Sequence, residues 1–502
     1  MPGRATHTVI RNGRIVDPAR RRAVPSDLLL RGDCIAEIGP PGLAAPEDSR
    51  TVDASDRLLM PGLVNAHTHG HGTLARGVGD RWTLELLLNA GPWLSGQRSL
   101  EHKYLAAQIG ALEMISKGCT ACYDLYFEFP APTAEGIQAV ADAYRDVGMR
   151  AVLAPMIADR SFYQALPGLM EALPEKARLK MASVALQPFE TTLATCAEIF
   201  KGWTIDRDRV RPAIAPTIPL HCSDDFLSGC RDLAREHGLG IHTHLAESKA
   251  QSIAGLARYG RTLTAHLEAL ELLGPDFTAA HGVWLDGDDL KRLAGSGASL
   301  AHNPGSNMRL GSGLAPAAEA LAAGVNVGIG TDSASCSDNQ NMFEAMRLAS
   351  FAGRLRSHDY ADWIPTERVL EMATAGSARA LGFGDTIGRL APGAKADIVF
   401  LDLGHLNYLP LNDAVNQIVH AEDATGVAEV MIGGRMVYRN GRLRGVDLDK
   451  IRSQAEAAVA ELAEKNAAAR AFADGLADVV GRFCVGLSRQ PYHVHALTGA
   501  DY

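Results

Sequence analysis

Little in this chain points to a nucleic-acid binder, a membrane protein or a disulfide-stapled fold. Acidic residues outnumber basic ones, 58 to 49, giving a net charge of −9, whereas polyanion binding needs a basic surface. No apolar run approaches the ~20 residues of a membrane helix. The opening "MPGRATHTVIRNGRIVD" has no apolar stretch of the signal-peptide kind, so a cytoplasmic location is expected. Eight cysteines in 502 residues are too sparse for a disulfide framework. A single CxxC occurs, "CTAC" at Cys119 and Cys122, inside an apolar run. With no second pair, it reads as buried thiols rather than a redox or zinc-ribbon site. No GxGxxG follows the first apolar strand, which disfavours a doubly wound dinucleotide fold. There is no low-complexity tract, and the length allows a large core in two or three domains.

What is present is ordered. The first sixty residues read as short strands, with turn signals at Asn12-Gly13 and Arg31-Gly32-Asp33. The same style returns in "KADIVFLDL" and "VAEVMIGGRMVYRNGRLRG", and "RNGR" occurs in both sets. The chain is therefore expected to leave a small β-domain, build something larger and come back. Between the two sets, β-rich runs alternate with helix-like segments. The runs are "GLVNAH", "CTACYDLYF", "MRAVLAPMI", "VRPAIAPTI", "GIHTHLAE", "FTAAHGV", "ASLAHNP" and "VNVGIGTDS". Ser223-Asp224 is a natural helix start, and Gly118, Gly148, Gly238 and Gly274 are natural stops. Eight strand–helix alternations predict an α/β fold, a (β/α)8 barrel. The expected division is a composite β-domain over 1–60 and 385–445, a barrel over 61–384, and an Ala-rich helical extension over 446–502. The closing "PYHVHALTGADY" reads as coil.

Ionisable residues collect at the predicted strand ends, where a barrel carries its chemistry. In "VNAHTHGHGTLARG", His67, His69 and His71 occupy every second position, the spacing at which strand side chains share a face. His244 and Glu247 close the fifth strand, His281 the sixth and Asp332 the eighth. Three imidazoles and one carboxylate suit a first-row divalent ion, zinc with an open position for water, or Fe2+ as the alternative. A two-metal site would need a bridging ligand such as a modified lysine on the fourth strand. "VRPAIAPTIPLHCS" has no lysine, so one ion per chain is expected.

Taken together, "PGLVNAHTHGHGTLARG", "HTHLAES", "AAHGVWL", "LAHNPGSNMRLGSG" and "GIGTDSASCSDNQNMFEAMRLA" resemble the amidohydrolase superfamily. The similarity is to its zinc aminohydrolases, which include S-adenosylhomocysteine, guanine and cytosine deaminases and the triazine hydrolases. The resemblance implies a distorted (β/α)8 TIM barrel with a small β-sandwich made from both chain ends. It implies His67, His69, His244 and Asp332 as metal ligands, with His242 a bystander one strand period earlier. It makes Glu247 the proton shuttle and gives Asp332 a second role, accepting the proton of water. His281 would orient the attacking hydroxide and stabilise the developing oxyanion. His71 has no counterpart and reads as a loop residue. "HNPGSN", from His302 to Asn307, would brace the seventh-strand loop, with His302 also a candidate substrate contact.

The reaction implied is hydrolysis at an sp2 carbon bearing an amino group, on a purine, pyrimidine, pterin or triazine, with release of ammonia. An amidase or a dehalogenating hydrolase on the same scaffold is the second enzymatic reading, and a non-catalytic relative the third. Many deaminases of this branch carry a base-contacting histidine where this chain has Thr217, in "APTIPLHCS"; His221 lies four residues on. Trp82 and Trp93 are candidates to cover a flat ring. Thr217, Trp93 and His302 are thus the expected substrate contacts. The expected partner is a small heterocycle, with no nucleic acid and no membrane, in a homo-oligomer, dimer or tetramer.

Overall fold

The apolar runs of the middle region form strands because both their faces are covered. Cys119–Phe127 is buried at every residue but the last, and Ile241–Leu245 and Phe277–His281 throughout, as parallel strands beneath helices must be. The computed structural model, which describes residues 7–183 and 186–497, arranges these strands in two parallel sheets. One runs Leu63–Thr68, Cys119–Phe127, Arg150–Ile157 and Ala215–Pro216, with Val210–Pro212 also pairing to Arg150–Ile157. The other runs Ile241–Leu245, Phe277–His281, Ser299–His302 and Asn326–Ile329.

Here the structure departs from the simple closed barrel: the ladders do not join into one ring. At the first seam a single bridge links Ile214 to Ile241, helped by His242 N–H to the Ile214 carbonyl (3.0 Å) and His244 N–H to the Thr217 carbonyl (2.9 Å). At the second, a side chain replaces part of the ladder. Thr331 N–H donates to Asn65 Oδ1 (3.0 Å), and Asp332 N–H donates to the His67 carbonyl (2.9 Å). A Cβ on Gly330 would lie 2.8 Å from that His67 carbonyl, so the strand ends approach as closely as a bare backbone permits.

The chain ends do meet. Arg57–Pro61 pairs antiparallel with Ile398–Asp402, joining strands from both ends into one nine-stranded sheet. Ile10, Leu28, Leu30, Ile35 and Leu59 share a core with Ile398, Phe400 and Met431. This sheet is clamped to the parallel strands by a buried bidentate pair. Arg150 Nε and Nη2 lie 2.8 and 3.1 Å from the Asp397 carboxylate, which also accepts Gly433 N–H at 2.7 Å. Asp397→Ala should cost about 3–5 kcal/mol, because it strands a buried guanidinium. Urea melts would show this, and a loss below about 1 kcal/mol would mean that water or another carboxylate replaces Asp397.

Helix boundaries follow local chemistry. Ser223 caps Asp224–His237, and Gly148 and Gly238 end their helices at φ 79° and 61°. The expected stop at Gly274 is wrong. That helix, Leu263–Ala269, ends earlier, because Glu271 turns left-handed (φ 56°) and Leu272 N–H caps the Leu267 carbonyl at 3.0 Å. Two further helices follow the last strand, Leu448–Lys465 and Ala467–Ser488. The second packs against Leu84–Leu94 and Lys249–Tyr259. Of the closing coil, 491–497 carries no helix or strand, and its last five residues lie outside the described residues. Among the described residues no helix is long and apolar enough to cross a membrane.

Candidate metal and catalytic centre

The first strand ends at Thr68, and His69 is still extended (φ −132°, ψ 92°). His67 and His69 therefore keep the strand alternation and face one side together. A 3-10 turn, Gly70–Ala75, then carries His71 out of the alternation. Its Nδ1 accepts Phe127 N–H at 3.2 Å, which places the proton of the neutral ring on Nε2.

Opposite the first strand stands His244. Nδ1 of His69 donates to the Leu125 carbonyl (2.7 Å), and Nδ1 of His244 donates to the Thr217 carbonyl (2.6 Å). Both neutral rings must then carry lone pairs on Nε2, and those two atoms face each other at 3.2 Å. Two acceptors this close require a positive charge between them. Asp332 Oδ1 lies 3.3 Å from His69 Nε2 and 3.5 Å from His67 Nε2. Ligand atoms about 2.0–2.1 Å from a tetrahedral ion lie about 3.3–3.4 Å apart. The three observed edges match, so these residues could hold a divalent ion; His67, His69 and His244 also converge within 4.8 Å of one another. His281 also comes within 4.8 Å of His67 and Asp332 through its Nε2 side.

The electrostatics agree. Burial pushes the His67 pKa down to about 3 and that of His244 well below its ordinary value. Burial also disfavours charge on His69, but Asp332 and the Leu125 carbonyl outweigh it and raise the pKa. Burial would raise the Asp332 carboxyl, yet His67 and His69 hold it well below the carboxylate range. This spot favours a cation.

Glu247 follows the fifth strand after Ala246, which is held left-handed at φ 48°. Its Oε2 is buried, has no hydrogen-bond partner among the described residues and lies 3.6 Å from His281 Nε2. Burial, with the nearby charges of Asp332 and Glu85, pushes its carboxyl well above the usual range. His281 Nδ1 bonds Asn307 Oδ1 at 2.8 Å, so its Nε2 also carries a lone pair. His281 and Asp332 sit at φ 69° and 61°, strain that non-glycine residues hold mainly at working sites.

Three residues that pattern alone did not single out complete the site. Asn307 sets the His281 tautomer, although it lies within the quoted "HNPGSN". Glu85 accepts Ser248 Oγ–H at 2.6 Å beside Glu247, and Gln340 Nε2 donates to the Asp332 carbonyl at 2.7 Å. The expected substrate contacts are placed as follows. Thr217 offers its carbonyl to His244. His302 is buried at the end of the seventh strand, its Nδ1 without a partner among the described residues. Trp93 lies edge-on to Trp82 at 6.5 Å, with the Arg470 guanidinium 5.0 Å from its ring. His221 is buried in a 3-10 turn. All eight cysteines are free, and burial pushes Cys119 up to about 12, so it is no thiolate.

The family model described as "Amidohydrolase family" matches residues 58–437. The chain belongs to the amidohydrolase family. A 5-methylthioadenosine/S-adenosylhomocysteine deaminase of Syntrophobacter fumaroxidans is 34% identical over 446 residues, 88% of this chain and 94% of that protein. Among solved structures, a zinc-bound adenosine deaminase from Xanthomonas campestris superposes with a TM-score of 0.80 at 28% identity, covering 91% of this amidohydrolase and 98% of that chain. An atrazine chlorohydrolase from Arthrobacter aurescens, complexed with zinc, gives 0.79 at 25% identity, covering 90% and 100%.

Proposed function

We propose that this amidohydrolase is a zinc aminohydrolase that removes the amino group of a nitrogen heterocycle as ammonia. The observation that carries the reading is the pair of opposed Nε2 lone pairs on His69 and His244, 3.2 Å apart, with a protonatable Glu247 on the same face. In this reading His67, His69, His244 and Asp332 hold one ion. A bound divalent ion would supply Lewis acidity, which lowers the pKa of water to about 7.

The chain's own groups do the rest. Asp332 would help to hold the ion, and its Oδ2, 3.8 Å from His281 Nε2, is the atom that takes the proton of water. His281, with its proton held on Nδ1 by Asn307, accepts a hydrogen bond at Nε2. It therefore orients the attacking water in this tautomer. Glu247 Oε2 gives its proton to a ring nitrogen and makes the adjacent carbon electrophilic. A water oxygen bonds to that carbon; as the C–N bond breaks and C=O forms, the remaining hydroxyl proton passes through Glu247 to the departing amine, which leaves as ammonia, and the proton held by Asp332 then restores Glu247. The two parallel sheets stand around this site as the two parts of a distorted barrel. The nine-stranded sheet built from both chain ends forms the small β-domain, as their shared core supports.

The likeness to a deaminase of adenosine-type compounds supports an adenine nucleoside as the first substrate class to try. The test is ammonia release from adenosine, 5-methylthioadenosine, S-adenosylhomocysteine, guanine, cytosine, a pterin and a triazine, together with elemental analysis. One zinc per chain and release from at least one compound are expected. Two metals per chain would overturn the single-ion assignment. Chloride release from atrazine with no ammonia from any compound would favour the dehalogenating reading instead.

A further inference from the structure

The chain beyond its last helix returns to the face that carries the site. Over residues 491–497 burial alternates: Tyr492 and Val494 are half-buried and Ala496 is 2% exposed, while the residues between them face outward. The Tyr492 ring lies 6.3 Å from that of Trp284, and His493 Nε2 lies 2.8 Å from Asp286 Oδ2. The Ala496 carbonyl accepts Leu314 N–H at 2.6 Å. Gly313 makes room for this strap: at φ 123°, a Cβ there would sit 2.6 Å from the Ala496 oxygen. The strap thus rests on two segments, one after the sixth strand (Val283–Asp286) and one after the seventh (Ser312–Leu314).

Those two segments are linked to His281 through Asn307. The Asn307 carbonyl accepts Ser312 N–H at 2.8 Å and Gly313 N–H at 3.4 Å, so the end of this loop fixes Asn307. Trp284 Nε1–H donates to the Ser312 carbonyl at 2.8 Å, tying the two segments together. Asn307 Oδ1 in turn holds His281 Nδ1–H. A continuous line of contacts runs from Tyr492 and Ala496, through Trp284 and Ser312, to Asn307 and His281. Leu314 N–H loses its acceptor without the strap, and an unpaired backbone donor at a buried position forces its loop to relax.

We infer that the strap Tyr492–Ala496 is a positioning element of the active site, which locks the Asn303–Leu314 loop so that Asn307 keeps the His281 proton on Nδ1. Only the turnover readout rests on the deaminase reading. The tautomer and the loop's protection are measurable without a substrate.

The test compares four zinc-loaded proteins: the full chain, a chain ended after Gln490, Asn307→Ala, and the shortened chain carrying Asn307→Ala. In the shortened chain, amide exchange should quicken across 303–314, and the 15N signature of an Nδ1-protonated His281 should weaken. Zinc content should stay at the full chain's level. Turnover should fall about 10-fold with KM changed less, as a misplaced catalytic group predicts. Shortening should add nothing to Asn307→Ala, because both act through one contact. Full-length Tyr492→Ala/His493→Ala should reproduce the effect in weaker form, Tyr492→Phe should not, and this trio decides the matter if the shortened chain fails to fold. An unchanged His281 signature and loop protection, or losses that multiply in the double variant, would overturn the inference. If no compound is turned over by the full chain, the deaminase reading fails, and the exchange and 15N results still decide the strap.

Discussion

Glu247→Gln should keep its full complement of metal and lose about 10²–10⁴-fold in turnover, the usual worth of a well-placed proton-transfer group. The substitution preserves shape and removes only the capacity to carry a proton. Glu247 stands outside the groups whose atoms converge within 4.8 Å, His67, His69 and His244 on one side and His67, His281 and Asp332 on the other, so the ion has no reason to leave. Among the described residues its Oε2 has no competing partner, and burial, with Asp332 and Glu85, keeps the carboxyl prone to protonation. An amide at this place can still donate a hydrogen bond to a ring nitrogen but cannot transfer the proton. The loss should therefore appear in kcat, with KM little changed. Elemental analysis and steady-state rates on the same preparations check it. A variant with near-full activity would make Glu247 a bystander and end the mechanism as drawn.

The parts of the site that were legible in the amino-acid order are those in which one short stretch carries its own meaning. Apolar runs ending abruptly in His67, His244, His281 and Asp332 announce strand ends with chemistry on them. Ser223, Gly148 and Gly238 announce helix ends. What escaped depends on contacts between segments far apart in the chain. Asn307 acts on His281 across 26 residues, and Glu85 meets Ser248 across 163. No periodicity links such pairs. The left-handed backbone of His281 and Asp332 escaped for another reason: the signal for positive φ is glycine, and neither residue is one. Gly274 erred in the opposite sense, since a non-glycine residue, Glu271, ended the helix first. Ring closure was over-read because alternating strands and helices predict order and direction, whereas pairing at the seams depends on residues such as Asn65 and Gly330.

The same carbonyls that were invisible in the sequence explain why the histidines are not interchangeable. The Leu125 and Thr217 carbonyls each take an Nδ1 proton, which frees Nε2 of His69 and His244 for an ion. His71 is built the other way round. A backbone N–H from Phe127 points at its Nδ1, so its proton sits on Nε2, and its ring has no lone pair left for a metal.

A paired substitution at the first strand therefore has opposite expected outcomes. His69→Ala should purify without stoichiometric metal and without activity. It removes one of the two opposed Nε2 atoms and one edge to Asp332 Oδ1, leaving three donors where the proposed site has four. His71→Ala should retain one ion per chain. The 3-10 turn from Gly70 has already taken His71 out of the alternation, although its ring centroid is only 5.4 Å from that of His69. Proximity is thus no guide here; tautomer and backbone geometry are. Its cost should be confined to the lost Phe127 N–H acceptor, about 1–3 kcal/mol if that donor is left dry. Elemental analysis of both variants, with thermal melts in the presence and absence of added zinc, separates the cases. Added zinc should raise the melting temperature of metal-stripped His71→Ala and barely move that of His69→Ala. If instead His71→Ala lost the ion and His69→Ala kept it, the ligand register would move by two residues, and the lone-pair argument that defines the site would be wrong.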